Sequence, residues 1–264
     1  MRAAIADQYL QALGLPRRPP DLAYLAQITA RHVATLPFAS IGPRLGSALP
    51  LDLPALYERL VLRRRGGYCF EQNALLFEVL EELGFTVTLS LARVIYNQDI
   101  HPGLAHRSTL VDFGNERYLV EVGFGPNCPR VPIRLSGEPS QELDRCFRVA
   151  ELRRGEFHLQ VLKEDGYYSL YRFELARYGT ADCELGHFYS HRHPDAVFVN
   201  NLVVSRILPE EIRSLRNRDY RVITGTGDVL RQVDTAATLH DILNRQLALC
   251  VSEAESLRLF QQLA

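Results

Sequence analysis

The spacing of apolar residues changes along the chain and divides it into three parts. In the first third, apolar residues recur every three or four positions, which is typical of amphipathic helices. Asp21 can cap one such helix, and Pro54 suits the first turn of another. A longer helix is predicted over Cys69–Leu83, because its apolar residues share one face and Gly84 can end it.

The middle third is rich in short segments of Val, Leu, Tyr and Phe, separated by glycine-containing turns. Strands are predicted near 85–96, 106–113, 117–124, 146–151, 156–163 and 167–173. Several short strands joined by tight turns indicate an antiparallel sheet or a small barrel.

The last part mixes the two patterns. Strands are predicted at 197–206 and 221–223, a turn at 225–228, and helices near 235–248 and 252–263. Helices followed by strands and then by a mixed end predict an α+β fold with two or three subdomains.

Composition narrows the functional classes. The chain has 264 residues, 30 basic against 31 acidic, so a nucleic acid is not the expected main partner. We expect no membrane span, because no apolar run approaches the roughly 20 residues that a span needs. The N-terminus does not resemble a secretory signal, and the five cysteines are an odd number without a Cys-x-x-Cys pair. A reducing cytoplasm is therefore expected, and a zinc site or a disulfide framework is not.

The segment Arg65-Gly-Gly-Tyr-Cys69 places a thiol where a tight turn enters a helix. Free N–H groups at a helix start favour an anion, so this position suits a nucleophilic thiolate. A buried structural cysteine after a glycine turn is the alternative reading.

A base and a carboxylate for this thiol are predicted in the hairpin that runs from His106 to Glu121. If Gly114-Asn115 is the two-residue turn, Ser108 lies opposite Glu121, and His106 is a diagonal neighbour on the same face. A packed histidine and a solvent-facing strand carboxylate remain the alternatives, and a slip of one residue would separate the pair.

With these residues the sequence resembles the arylamine N-acetyltransferase family. The nine residues Arg65–Asn73, which read RGGYCFEQN, match the family's nucleophile motif, and His106 stands where its base stands. Val120–Gly125 is similar to the carboxylate motif, and Phe188–Phe198 is similar to a later family segment.

The resemblance implies a helical bundle over 1–84, a β-barrel over 85–194 and an α/β lid over 195–264, with a cysteine-protease-like Cys-His-carboxylate site. It also implies acetyl-CoA as donor, with no metal, and an arylamine, arylhydrazine or N-hydroxyarylamine as acceptor. The reaction would be ping-pong through an acetyl-cysteine, in xenobiotic metabolism, by a monomer or homodimer. Phe124, Gly125 and Phe198 are the implied substrate-binding residues.

Two departures from the family pattern stand out. Glu121 replaces the usual aspartate, and the extra methylene moves the carboxylate by about 1.5 Å, on the scale that matters for catalysis. Ala39 and Ser40 stand where the family usually has Glu-Asn, so we expect Arg65 to find another partner or to stay solvated.

Other functions share this arrangement of residues. A transglutaminase-like or protease-like hydrolase would use the same three side chains on amides. An amide synthase of the same family would close a ring without CoA, and a non-catalytic binding protein would keep only the fold.

Three further signals are given structural readings. His187, His191 and His193 fit no zinc spacing, and the segment 225–228 is read as a strand turn. The four cysteines other than Cys69 are predicted to be packing residues: Cys128, Cys146, Cys183 and Cys250.

Overall fold

The computed structural model describes residues 1–142 and 145–263. Its helices are α1 (Arg2–Leu13), α2 (Leu22–Thr35), α3 (Ile41–Arg44), α4 (Leu53–Tyr57, continued by a π turn at Glu58–Leu62), α5 (Cys69–Glu82), α6 (Thr180–Arg192), α7 (Val197–Asn200), α8 (Ala236–Asp241, continued by a π turn at Ile242–Gln246) and α9 (Glu253–Gln261).

Local sequence signals set the starts of α2 and α4, as predicted. The Asp21 side chain accepts a hydrogen bond from the Tyr24 backbone N–H and caps α2. Asp52 does the same for α4, where Pro54 lies in the first turn. Helix α5 begins at Cys69, which confirms the predicted position of this cysteine at a helix start.

The longest strands form one antiparallel sheet that curls into a nearly closed barrel. Its strands are β2 (Thr86–Val94), β3 (His106–Phe113), β4 (Glu116–Val120), β5 (Ile133–Arg134), β6 (Ser140–Gln141), β7 (Cys146–Arg153), β8 (Glu156–Lys163) and β9 (Gly166–Glu174). The order across the sheet is β5-β4-β3-β2-β9-β8-β7-β6, and β5 comes close to β7. Helix α5 packs against β2 and β3, which places the start of α5 beside the barrel.

The predicted register of the β3–β4 hairpin is confirmed. Phe113 lies opposite Glu116 across the turn at Gly114-Asn115, and Leu110 lies opposite Leu119. No slip separates the His106 end of β3 from the residues that follow β4.

A second antiparallel sheet joins the first and last thirds of the chain. It contains β1 (Phe38–Ala39), β10 (Val203–Ile207), β11 (Glu211–Arg216), β12 (Asp219–Thr224) and β13 (Gly227–Gln232), in the order β1-β10-β11-β12-β13. Strand β1 comes from the helical part, so the last third of the chain is hydrogen-bonded to residues 38–39.

One predicted element in the last third was wrong, and two strands were missed. The strand predicted over 197–206 is the helix α7 followed by the shorter strand β10, because the Asn200 and Asn201 amides bond to nearby backbone carbonyls and stabilise a helical turn. The strands β11 and β13 were not predicted. Strand β13 is an edge strand whose residues are all exposed, so it lacks an apolar alternation.

Helix α6 was not predicted either, and it lies inside the segment 85–194 that was assigned to the barrel. It buries His187 and exposes Leu185 and Phe188, which is the reverse of the usual pattern. The division of the chain at residues 84 and 194 stays a prediction.

Candidate active site

The loop before α5 presents Cys69 at the first position of the helix. Gly66 has φ +65, and a side chain there would meet Ala39 and the Pro37 carbonyl, so the tight turn depends on glycine. The Glu71 carboxylate accepts a hydrogen bond from the Tyr68 backbone N–H and fixes the entry of the chain into the helix. Cys69 is 2% exposed, and its thiol faces the Ala105 carbonyl at 3.9 Å.

The end of the β3–β4 hairpin passes directly over this cysteine. A Cβ atom added to Gly123 would lie 2.6 Å from the Cys69 Cα atom, so only glycine allows this approach. Glu121 lies two residues before Gly123, and His106 is the first residue of β3. Both side chains therefore lie near the Cys69 thiol.

His106 and Glu121 form a buried pair. The His106 Nε2 atom lies 2.6 Å from the Glu121 Oε2 atom, and both side chains are nearly inaccessible to solvent. Cys69 lies close enough to His106 to raise its pKa, and the Nδ1 atom of His106 is left for the thiol because Nε2 faces Glu121. The structure therefore brings the three polar residues predicted from the sequence into one chain of contacts.

The Glu121 carboxylate is surrounded by hydrogen-bond donors. Oε1 accepts from the Asn73 side-chain amide at 3.0 Å and from the Gly123 backbone N–H at 2.7 Å. Oε2 accepts from His106 and from the Tyr171 hydroxyl at 2.8 Å. Four donors on one buried carboxylate compensate for the loss of water and fix its position.

These contacts shift the pKa values of the pair in opposite directions. Burial by itself lowers the pKa of His106, but the Glu121 carboxylate and Cys69 outweigh it and raise the pKa to about 10. Burial by itself raises the pKa of Glu121, whereas His106, Asn73 and the Gly123 N–H bring it below its usual value. An imidazolium paired with a carboxylate is thus the favoured state at neutral pH.

The three apolar candidates surround this centre at different distances. The Phe124 ring meets the His106 ring edge-on at 5.0 Å and packs against Tyr171. Gly125 has φ +64 and opens a short 3-10 turn. Phe198 packs against Tyr68, the residue before the nucleophile, with ring centroids 5.4 Å apart.

The histidines of α6 serve packing and hydrogen bonding. His187 Nδ1 lies 2.5 Å from the Tyr68 hydroxyl, and its Nε2 donates to the Leu49 carbonyl at 2.7 Å. Burial lowers the pKa of His187 to about 4, so the ring is neutral. His191 donates to the His187 carbonyl, and His193 stacks on Tyr189. In residues 1–142 and 145–263, no group of three or more His, Cys, Asp or Glu side chains could hold a metal ion.

Of the two outcomes expected for Arg65, another partner or solvation, the structure shows another partner. Its guanidinium forms two hydrogen bonds with the Glu255 carboxylate of α9, at 2.9 and 2.5 Å, and one with the Cys250 carbonyl. An acidic residue 190 positions away thus pairs with the arginine of the nucleophile motif.

The other cysteines are buried with one exception. Cys128 accepts a hydrogen bond from the Phe124 backbone N–H at 2.9 Å, and Cys146 and Cys183 are buried. Cys250 is exposed, so the prediction that it is a packing residue was wrong. The turn between β12 and β13 lies at 225–226, within the segment 225–228 that was predicted as a turn, and Gly227 already begins β13.

Two residues of the site were missed by sequence reasoning. Asn73 lies in the nucleophile motif, and its position one helical turn after Cys69 could have suggested that it faces the same neighbours. Tyr171 lies on a correctly predicted strand, but no local signal connects it with Glu121, 50 residues earlier. Their contact depends on how the barrel closes.

Within the described residues, no helix is long and apolar enough to cross a membrane.

Comparisons with known proteins find relatives over most of the chain. The N-acetyltransferase family model matches residues 21–256. An arylamine N-acetyltransferase of Mycolicibacterium smegmatis is 37% identical over 247 residues, covering 90% of this chain and 89% of that protein. The solved structure of an arylamine N-acetyltransferase from Salmonella typhimurium superposes with a TM-score of 0.93 at 28% identity and covers 98% of both chains.

A further solved structure carries a ligand. The Mycobacterium marinum arylamine N-acetyltransferase in complex with CoA has a TM-score of 0.92 at 26% identity, covering 98% of this chain and 99% of its own. With the family model spanning most of the sequence and the fold shared end to end, the chain belongs to the arylamine N-acetyltransferase family, whose members are acyltransferases.

Proposed function

We propose that the chain transfers an acetyl group from acetyl-CoA to an arylamine, arylhydrazine or N-hydroxyarylamine, through an acetyl-Cys69 intermediate. One observation carries the proposal. In a member of this family, Glu121 holds His106 through a 2.6 Å hydrogen bond, beside a cysteine close enough to raise the pKa of the histidine. A thiol, a base and an orienting carboxylate are the components of nucleophilic acyl transfer.

In the first half-reaction, Cys69 reacts as a thiolate paired with the His106 imidazolium. The sulfur forms a bond to the acetyl carbonyl carbon, and the thioester bond to CoA breaks. His106 gives its proton to the departing CoA thiolate. The raised pKa of His106 supports this role, because the ring holds a proton at neutral pH before the donor arrives.

In the second half-reaction, the amine nitrogen attacks the acetyl-Cys69 carbonyl. His106, neutral after the first step, takes a proton from that nitrogen, and the Cys69 thiolate leaves. The starting thiolate–imidazolium pair is restored, so the kinetics are ping-pong. Backbone N–H groups at the start of α5, including that of Cys69, are candidates to stabilise the oxyanion in both steps.

A basic cavity supports the assignment of a phosphorylated donor. The cavity has a volume of about 630 Å³ and lies between the barrel and the second sheet. Arg145, Arg216 and Arg221 line it with one acidic residue, Asp219, and with Pro126, which follows the Phe124–Gly125 segment. Guanidinium groups can bind the phosphates of CoA. Pro126 belongs to the 3-10 turn that follows Phe124, and the Phe124 ring contacts His106.

The acceptor is assigned to the aromatic surroundings of the thiol. Phe124 lies against His106, and Phe198 lies against Tyr68, so flat apolar surfaces border the nucleophile on two sides. Gly125 carries no side chain to obstruct an approaching chain, and its φ of +64 favours glycine. An aromatic amine is a substrate of the size and polarity that such surfaces bind.

Intact-protein mass spectrometry after mixing with acetyl-CoA tests the proposal. We expect one acetyl group on the wild type and on Cys250→Ala, which removes the exposed cysteine, and none on Cys69→Ala. Addition of an arylamine should remove the acetyl group. An absent adduct, with Cys69 still alkylated by iodoacetamide, would contradict the proposal and favour the CoA-independent amide synthase or the hydrolase.

A further inference from the structure

The loop that presents Cys69 adopts a conformation that needs external support. Arg64 has φ 47 and Gly66 has φ 65, so two of the residues before the nucleophile are in the left-handed region. An arginine is disfavoured there, because its Cβ crowds the backbone. Such a turn persists only where neighbouring groups hold it.

Two groups near the end of the chain supply much of this support. The Cys250 backbone N–H donates to the Arg64 carbonyl at 2.9 Å, and the Cys250 carbonyl accepts from Arg65 at 2.7 Å. Both carboxylate oxygens of Glu255 accept from the Arg65 guanidinium, at 2.5 and 2.9 Å. This bidentate pairing fixes the orientation of the guanidinium as well as its distance from the carboxylate.

Glu255 is itself held in place at the start of α9. Its Oε2 atom accepts hydrogen bonds from the Ser252 backbone N–H at 3.0 Å and from the Ser252 hydroxyl at 2.9 Å. Leu259 of the same helix is fully buried and anchors it in the apolar core of the second sheet. The carboxylate that meets Arg65 is therefore part of a fixed helix end.

The opposite side of the loop is held by the helical part of the chain. The Ala39 backbone N–H donates to the Gly67 carbonyl at 2.8 Å. Ala39 has no carboxylate of its own to offer Arg65, so the charged contact comes from α9 alone among the described residues. The nucleophile loop is thus fixed between β1 and the C-terminal helix.

We propose that Glu255 is a positioning residue for Cys69: by holding Arg65 it fixes the loop 64–68, and the C-terminal helix thereby sets the place of the nucleophile. The inference rests on the proposed function only for its acetyl-transfer readout. It assigns to α9 a role in positioning Cys69, beyond packing against the rest of the fold.

Glu255→Gln tests the proposal, because it removes the charge and keeps the size of the side chain. Two rates are measured: alkylation of Cys69 by iodoacetamide, followed by peptide mass mapping, and single-turnover acetylation of Cys69 at saturating acetyl-CoA. We expect both rates to fall about tenfold, since a small displacement of a nucleophile costs that much or more. Glu255→Asp, which keeps the charge but shortens its reach, should lose about threefold in both.

Two matched variants separate positioning from general stability. Glu253→Gln removes an acidic residue from the same first turn of α9, for which no ion pair is seen in the described part of the chain. Ser256→Ala removes a buried hydroxyl of the same helix, which donates to the Ser252 carbonyl. Both should leave the two rates within about twofold of the wild type, although Ser256→Ala is expected to cost about 1 kcal/mol of unfolding free energy.

The outcomes are distinct. Wild-type rates in Glu255→Gln, or an equal loss of rate in Ser256→Ala, would overturn the positioning role. If the wild type takes no acetyl group but Glu255→Gln still slows alkylation of Cys69, the proposed function fails and the positioning role stands. If the wild type is acetylated and Glu255→Gln is acetylated equally fast, the function stands and the positioning role fails.

Discussion

The Glu121 Oε2 atom lies 2.6 Å from the His106 Nε2 atom, and both side chains are almost wholly removed from solvent. In such a site a carboxylate stabilises an imidazolium strongly, because little water screens the two charges. Three more donors hold the same carboxylate, from Asn73, Gly123 and Tyr171. The longer glutamate side chain is thus fully engaged, and the surrounding residues are arranged around its length.

Glu121→Asp is therefore expected to lower activity, even though aspartate is the usual family residue. Shortening the side chain withdraws the carboxylate by about 1.5 Å, and donors placed for glutamate cannot all follow. We expect the single-turnover acetylation rate of Cys69 to fall about tenfold to a hundredfold. Glu116→Asp, the same change on β4 near Tyr118, is the control. An aspartate variant as fast as the wild type would show that the local backbone adjusts.

Tyr171→Phe should weaken the hold on Glu121 without removing the pair. The variant loses the 2.8 Å hydrogen bond to Oε2 but keeps the ring that packs against His106. We expect a loss of about 1 kcal/mol in unfolding free energy and a threefold to tenfold lower acetylation rate. Tyr118→Phe removes a similar bond, to Glu116, away from the site, and should change stability without changing the rate. Equal rates in the two variants would refute the role of Tyr171.

Gly123→Ala should disable the site by steric conflict. The added methyl would lie 2.6 Å from the Cys69 Cα atom, which is backbone and cannot rotate away. Either the hairpin or the nucleophile must move, and a shift near 1 Å lowers the acetylation rate about a hundredfold. Gly103→Ala, where nothing lies within 4 Å of the new methyl, is the control and should keep full activity. Full activity in Gly123→Ala would contradict the close approach.

The His106–Glu121 pair should make the free energy of unfolding fall as the pH rises through the alkaline range. The folded pKa of His106 is about 10, against 6.5 for an ordinary histidine, so the folded state holds the extra proton between these values. The contribution of the pair is therefore complete below about pH 6.5 and is lost as the pH rises towards 10. Urea unfolding at pH 6, 8 and 10 measures it.

The difference in unfolding free energy between the wild type and His106→Gln should shrink across this range. Glu121→Gln removes the carboxylate that raises the pKa of His106. The unfolding free energy of this variant should therefore depend less on pH over this range than that of the wild type. A difference that stays constant from pH 6 to 10 would mean that His106 is not protonated in the folded protein.

Much of this site follows from short-range pattern. The helix start at Cys69 and the turn at Gly114-Asn115 depend on residues within a few positions, and they place the thiol, His106 and Glu121 correctly. Local propensity and hairpin register act over such distances, so one sequence contains them. The same reasoning failed over 197–206, where side-chain amides stabilise a helical turn against an apolar, strand-like pattern.

The sequence by itself predicted the positions of Cys69, His106 and Glu121 and most of the helices and strands, because a helix start and a hairpin register depend on neighbouring residues. Only the tertiary structure decided which groups surround them. Tyr171 reaches Glu121 because the barrel curls, and Glu255 reaches Arg65 because the last helix packs behind the nucleophile loop. Contacts between residues 50 and 190 positions apart depend on packing of whole elements, which no local pattern encodes.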